Sequence, residues 1–418
     1  MGWGLSLIIM QKDFTTGIIS TGYFKKDAYN ALQMPLYANA AYEFESAEAM
    51  ADAFQGRSAE HTYSRITNPT VQYFEQRVQK ITGAVGVTAL NSGMAAITNV
   101  ILELAYAGAN IVTSSHLFGN TWSLLSSTLA PFGLETRFCD LTNPEEVAAN
   151  VDENTCAIFL EIVTNPHLEV ADLKALSAVA KSKNVPLVAD TTIIPFIDFH
   201  AQDFGVNIEI VSSTKYISGG ATSIGGLVID YGNFNWKHSK RLEAFAKQFG
   251  PMAFTAKMRK EIHRNVGAYM SPQTAQLQTL GLETVELRFR QASNSAKELA
   301  KRMKSLTGIK HVNHIGLEDH PYYSISKEQF GEYTGAMFTF TLDSQEACFA
   351  FLDKLKLIRR ATNLFDNRTL IIHPASTIYG TFTQAQRDEM DIDDCLIRIS
   401  IGLESVDDLL ADIKQALV

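Results

Sequence analysis

The sequence predicts an α/β protein in which a mostly parallel sheet, with helices on both faces, is followed by a smaller α+β domain. Three observations carry that expectation. Between residues 86 and 230, seven short apolar, β-branched runs alternate with longer helical patterns, the rhythm of βα units. From Ser271 the text changes to one long helical stretch, followed by two strand-like runs and a closing helix. The chain has 418 residues, too many for one ordinary core.

Taken in order, the seven runs are GVTAL from Gly86, NIVTSS from Asn110, ETRFC from Glu135, CAIFLEIV from Cys156, VPLVAD from Val185, IEIVSS from Ile208 and GGLVID from Gly225. Each is short enough for a strand and apolar on both faces, as buried parallel strands are. The stretch Ser271 to Met303 opens with Ser-Pro and carries Leu277, Leu280, Val285, Leu287, Leu299 and Met303, so it reads as largely helical. GAMFTFTL (Gly335–Leu342) and CLIRISIGL (Cys395–Leu403) read as strands. The last helix starts at Ser405, placed as its N-cap, with Leu409, Leu410, Ile413, Ala416 and Leu417 on one face. The second domain is expected to begin near residue 266.

Composition narrows the function. At 46% apolar and 19% charged, the chain has ample material for a core. A net charge of −9 argues against nucleic acid or an anionic membrane as partner. Four widely spaced cysteines, with no CxxC pair, suit a reducing cytoplasm and no metal site. The apolar start MGWGLSLIIM has no preceding cation and is too short for a signal peptide, so it reads as an extension to the fold. No stretch approaches the roughly 18 apolar residues of a membrane span. GxxxxGK[ST], GxGxxG after a strand, HExxH and paired CxxC are all absent.

In an open α/β sheet, ligands bind beyond the carboxyl ends of the strands. Asp190 ends VPLVAD, Ser212, Ser213, Thr214 and Lys215 end IEIVSS, and Asn91, Ser92, Gly93 and Met94 follow GVTAL and open a helix. A helix start entered through Ser-Gly presents backbone N–H groups to an anion. A lysine, a carboxylate at a strand end, a hydroxyl-rich turn and an anion-binding helix start together suit pyridoxal phosphate, which needs a Schiff-base lysine, an acid for its ring nitrogen and a phosphate cradle. Each residue also has an ordinary use. Asp190 can cap the next helix, Arg398 and Arg65 can form ion pairs, Tyr63 and Phe118 can simply pack, and His373 suits the core.

The segment SSTKYISGGATSIGGLVID, followed by YGNFNW, resembles the cofactor-lysine segment of the Cys/Met-metabolism family of pyridoxal-phosphate (PLP) enzymes, most closely its O-acetylhomoserine sulfhydrylase branch. YSRITNPT, NSGMAA, EIVTNP, SPQTAQLQTLGLETVELR, NRTLIIHPAST and LIRISIGLESVDDLLADIKQAL are similar to family segments and stand in the family's order, from about residue 14 to the end. The resemblance implies the PLP-dependent transferase fold of type I, with a seven-stranded sheet in the large domain. It also implies an arm over 1–70 that reaches a neighbouring subunit, a PLP-binding domain over 71–265 and a small domain over 266–418. Lys215 would carry the cofactor, Asp190 would face its ring nitrogen, and Asn165 its phenolic oxygen. Gly93, Met94, Ser212 and Thr214 would hold the phosphate, with Tyr63 and Arg65 arriving from the neighbour. Arg398 would clamp the substrate carboxylate, with Asn363 beside it. The implied assembly is a tetramer built from two site-sharing dimers. The implied reaction is γ-replacement on O-acetyl-L-homoserine by sulfide or a small thiol, with methionine or cystathionine γ-elimination and a non-catalytic PLP-binding protein as alternatives.

Four departures from the family pattern bear on the chemistry. Phe118 stands where the family usually stacks a tyrosine on the ring, so the phenol is lost, and His116 is the histidine nominated to replace it as an acid. Asn120 stands where methionine γ-lyases carry cysteine. Thr191 and Thr192 follow Asp190 in place of Asn-Thr. Phe365 replaces a usual glycine and is expected to narrow the pocket.

Overall fold

The computed structural model describes residues 13–23 and 27–418. The apolar start read above as an extension lies outside the described residues. All seven expected strands form: β1 (Gly86–Leu90), β2 (Asn110–Thr113), β3 (Glu135–Phe138), β4 (Thr155–Glu161), β5 (Leu187–Asp190), β6 (Ile208–Val211) and β7 (Gly226–Asp230). They make one sheet in the order β1-β7-β6-β5-β4-β2-β3.

The ladders from β3 through β2, β4 and β5 to β6 are parallel, whereas β7 runs antiparallel to both β6 and β1. An antiparallel neighbour needs no crossover helix. The chain between β6 and β7 therefore stays at the carboxyl edge of the parallel strands, and Lys215 lies on that connection.

Both faces of the sheet are covered. In β5 and β6, Val188, Ile208 and Ile210 pack into one apolar cluster, while Leu187, Ala189 and Val211 pack into the other. Local chemistry sets the helices that flank the site. Asn68 Oδ1 accepts from Thr70 N at 2.9 Å and Pro69 occupies the first turn of the helix Pro69–Thr82, which Gly83 closes at φ 69. Ser92 Oγ accepts from Ala95 N at 3.0 Å and starts the helix Gly93–Leu104.

The long stretch after Ser271 divides into two helices, Pro272–Leu282 and Val285–Met303. The second buries Phe289, Ala292, Ala296, Leu299 and Met303. Leu277, Leu280 and Leu287 instead remain exposed on this chain, at 43%, 51% and 69%. A second sheet follows, built from β8 (His311–Asn313), β9 (Met337–Thr341), β10 (Arg359–Arg360), β11 (Leu370–Ile372) and β12 (Leu396–Ser400) in the order β10-β11-β12-β9-β8. The closing helix is Val406–Leu417; Ser405 holds its N-cap position but makes no side-chain cap bond, and its carbonyl alone accepts from Leu409 N at 3.0 Å. All four cysteines are free thiols. Among the described residues, no helix is long and apolar enough to cross a membrane.

Candidate active site

A cavity of about 600 Å³ opens at the carboxyl ends of β4, β5 and β6. Ten of the twelve residues singled out in the sequence border it; Tyr63 and Arg65 do not. Tyr63 is 41% exposed, and the Arg65 guanidinium lies over its ring at 5.6 Å while Nη1 donates to the Arg264 carbonyl at 2.5 Å.

Lys215 points into this cavity, and its Nζ donates to Asn363 Oδ1 at 2.9 Å. Burial pushes its pKa down to about 8, helped by the positive Arg398 and opposed by Asp190. Asp190 Oδ1 accepts from Thr192 N at 2.9 Å. Burial raises the Asp190 carboxyl above the usual range, with the Thr192 bonds and Lys215 opposing it, so a cation placed against it would be favoured.

The residues expected to cradle an anion, Gly93, Met94, Ser212 and Thr214, line the same cavity. A Cβ on Gly93 would meet Ser212 Cβ at 2.8 Å and Ser212 Oγ at 2.9 Å, so only glycine lets this helix start approach the β6 turn. The helix behind it has 12 residues, so its dipole and free first-turn N–H groups face the cavity. Ser212 N donates to Thr192 Oγ1 at 2.8 Å. The Thr214 hydroxyl is engaged on both sides by Gly225, donating to its carbonyl at 3.1 Å and accepting from its N–H at 3.0 Å. A basic, partly neutral amine, a buried acid and an N–H cradle fit pyridoxal phosphate.

Arg398 comes from β12, in the other sheet, and is 2% exposed. Its Nη1 donates to Asn165 Oδ1 at 3.1 Å and its Nη2 to the Thr362 carbonyl at 3.3 Å. Neither partner is charged. Burial lowers its pKa to about 10. A buried guanidinium with only neutral partners among the described residues is costly unless an anion completes the site.

Two sequence expectations change. His116 does not border the cavity. Its Nδ1 lies 2.8 Å from Glu169 Oε2, its Nε2 lies 3.0 Å from Asp391 Oδ2, and its ring stacks on His167 at 4.2 Å, so it is committed to two carboxylates and cannot serve as the substitute acid. Phe365 does not narrow the pocket: its ring turns into the core, 1% exposed, and stacks on Tyr216 at 4.3 Å. Its φ of 58 explains why glycine suits this position. Asn363, expected to bind substrate with Arg398, borders the same cavity and accepts from the Lys215 amine. His373, by contrast, is the satisfied core histidine expected, bonded to Ser376 Oγ at 2.9 Å and the Asp394 carbonyl at 2.7 Å.

Two predictions follow from these corrections. Phe365→Ala should cost about 3–5 kcal/mol from lost packing, and Phe365→Gly about 1 kcal/mol less because it relieves the left-handed backbone. Urea-unfolding midpoints would show that order, with substrate KM unchanged in whichever variant remains folded. For His116, burial opposes the charge, but Glu169 and Asp391 outweigh it and raise the pKa above its ordinary value. The charged pair thus stabilises the fold fully below the ordinary histidine range and ceases to do so as pH rises through the raised pKa. The unfolding midpoint of wild type should fall relative to that of His116→Asn as pH rises above about 6.5.

Glu161, Thr192 and Tyr379 were not assigned roles from sequence. Thr191 and Thr192 turn to opposite faces of the sheet. Thr192 serves Asp190 and Ser212, while the Thr191 hydroxyl bonds the buried Glu209. Tyr379 is fully buried and donates to the Asn165 carbonyl at 3.0 Å. Glu161 ends β4 and was visible as a carboxylate at a strand end, the same signal that marked Asp190.

A lysine on the connection leaving a buried strand of a seven-stranded α/β sheet, beside an acid and an N–H cradle, defines the class: PLP-dependent enzymes of fold type I. The chain belongs to the family of Cys/Met metabolism PLP-dependent enzymes, whose model matches residues 15–418. It is 33% identical over 422 residues to an O-acetyl-L-homoserine sulfhydrylase of Corynebacterium glutamicum, covering 97% of this chain and 96% of that one. A solved structure of a putative O-acetylhomoserine (thiol)-lyase from Campylobacter jejuni, containing N′-pyridoxyl-lysine-5′-monophosphate, superposes with a TM-score of 0.93 at 31% identity and covers 97% of this chain and 100% of that one. An O-acetylhomoserine sulfhydrylase of Wolinella succinogenes is 46% identical, with a TM-score of 0.76 over 85% of this chain and 99% of that one.

Proposed function

We propose that the protein performs γ-replacement on O-acetyl-L-homoserine with sulfide or a small thiol, giving homocysteine or methionine plus acetate. The observation that carries the amino-acid part is Arg398, a buried guanidinium with no carboxylate partner among the described residues, in one cavity with the partly neutral Lys215. The sulfhydrylase relatives support the acyl-homoserine part.

When bound, pyridoxal phosphate supplies an electron sink for charge developing on the amino acid. Lys215 Nζ holds the cofactor, then carries protons between substrate carbons as acid and base. Asp190 holds a proton on the ring nitrogen. The N–H groups of Gly93 and Met94, with the Ser212 hydroxyl, would receive the phosphate, and the Thr214 hydroxyl would join them by turning its proton away from the Gly225 carbonyl. Phe118 would cover the ring face of the cofactor and Asn165 would stand by its phenolic oxygen. Arg398 binds the α-carboxylate through its planar fork, and Asn363 steadies Lys215 near the substrate. Acetate is a stable anion and leaves without the phenol that Phe118 lacks.

We also place Tyr63 and Arg65 in the phosphate site of a second copy, within a homotetramer of two site-sharing dimers, in a reducing cytoplasm. Their position outside the chain's own cavity and the exposed Leu277 and Leu280 support this assembly. A sedimentation mass of one 46.2 kDa chain would overturn it. For the reaction, purified protein is incubated with O-acetyl-L-homoserine with and without sulfide. Sulfide-dependent homocysteine is expected, whereas 2-oxobutyrate from methionine with no sulfide-dependent product would make it a γ-lyase.

A further inference from the structure

Glu161 and Asp190 stand side by side in register at the ends of β4 and β5. Asp190 has a use there, but nothing above explains Glu161. Two adjacent carboxyls in a cavity wall are costly, and burial together with Asp190 pushes the Glu161 carboxyl up to about 8. An amide or an apolar residue would fill the same space more cheaply, so the carboxyl needs a reason to be there.

The reason lies in its bonds. Oε1 accepts from Phe118 N at 2.7 Å, and Oε2 accepts from Asn165 N at 3.3 Å. Phe118 starts the helix Gly119–Ser123 without a side-chain cap of its own, so Glu161 is what fixes that N–H. Asn165 continues the path, because its Oδ1 accepts from Arg398 Nη1 at 3.1 Å. One carboxyl thereby ties the loop after β2 to the loop after β4, and through Asn165 to a strand of the other sheet. No apolar residue supplies two acceptors; a carboxyl does so even when protonated, because its hydroxyl oxygen keeps lone pairs, whereas glutamine supplies one oxygen and turns an NH₂, a donor only, toward the other N–H.

We infer that Glu161 is a positioning residue whose two oxygens hold the Phe118 ring and the Asn165–Arg398 pair in one frame, so that the cofactor face and the substrate clamp are set together. This rests on the cofactor and carboxylate placements proposed above, and is independent of which γ-substituent is replaced.

The test compares wild type, Glu161→Gln and Glu161→Asp. For each, pyridoxal phosphate is titrated into apoprotein, the visible circular dichroism of the bound cofactor is recorded without substrate, and kcat, KM and Tm are measured. Glu161→Gln should bind the cofactor about tenfold more weakly, lose at least about half of its dichroic amplitude, and raise KM by a larger factor than it lowers kcat, with Tm little changed. Glu161→Asp, which keeps both acceptors on a shorter stem, should fall between the two. Wild-type dichroism, cofactor affinity and KM in Glu161→Gln would overturn the inference whether or not Tm falls. If Glu161→Gln does not fold, Glu161→Asp decides by the same readouts. Because dichroism and cofactor affinity are read without substrate, they stand even if wild type makes no homocysteine, which is the failure mark of the proposed reaction alone.

Discussion

Lys215→Ala is expected to lower kcat by at least about 10³-fold and to abolish the absorbance of lysine-bound cofactor. The size follows from the two proposed roles resting on one nitrogen, covalent attachment and proton transfer. Only the neutral amine can bond to an aldehyde. At the ordinary lysine value of 10.5, roughly one side chain in three thousand would be neutral at pH 7; at about 8, roughly one in ten is. Capture of pyridoxal phosphate by apoprotein should therefore quicken about tenfold per pH unit up to about 8 and then level. Stopped-flow absorbance would measure this, and a rate still climbing beyond pH 9.5 would refute the assignment of a depressed lysine.

Arg398→Ala should lower kcat/KM for the amino acid by about 10²–10⁴-fold, chiefly through KM. The estimate takes two charge-assisted hydrogen bonds at about 1.5–3 kcal/mol each. Arg398→Lys keeps the charge but loses the fork, and should recover only part of the loss. Stability separates this role from a structural one. Breaking a buried ion pair costs about 3–5 kcal/mol, but among the described residues Arg398 has no carboxylate partner to strand, so Tm of Arg398→Ala should stay within a few degrees of wild type. A collapse of Tm with an unchanged KM would reassign Arg398 to the fold. An unchanged KM at wild-type Tm would remove it from the site altogether.

How far the sequence could be read depended on how local each signal was. The seven strand runs were legible because burial on both faces writes itself as continuous apolar text. That Lys215, Asp190 and Gly93 would meet at one cavity was legible because ligand sites of an α/β sheet lie where strands end. Glu161 carried the same mark and was passed over, because its partners are backbone N–H groups that have no signature in the text. Phe365 misled for the opposite reason: a large residue in place of glycine suggested a smaller pocket, yet its positive φ sends the ring against Tyr216. His116 looked available because the carboxylates that occupy it lie 53 and 275 residues away.

By itself, the sequence determined the seven strands of the large sheet, the helix starts at Ser92 and Ser271 and the placing of an amine, an acid and a glycine-entered helix start at strand ends, since each depends on residues within a few positions of one another. Only the tertiary structure decided that β7 turns back to leave Lys215 at the sheet's rim and that Arg398, from the second sheet, meets Asn165 across 233 residues. The physical reason is that side-chain direction and unpaired charge are properties of three-dimensional neighbours, which chain order does not list.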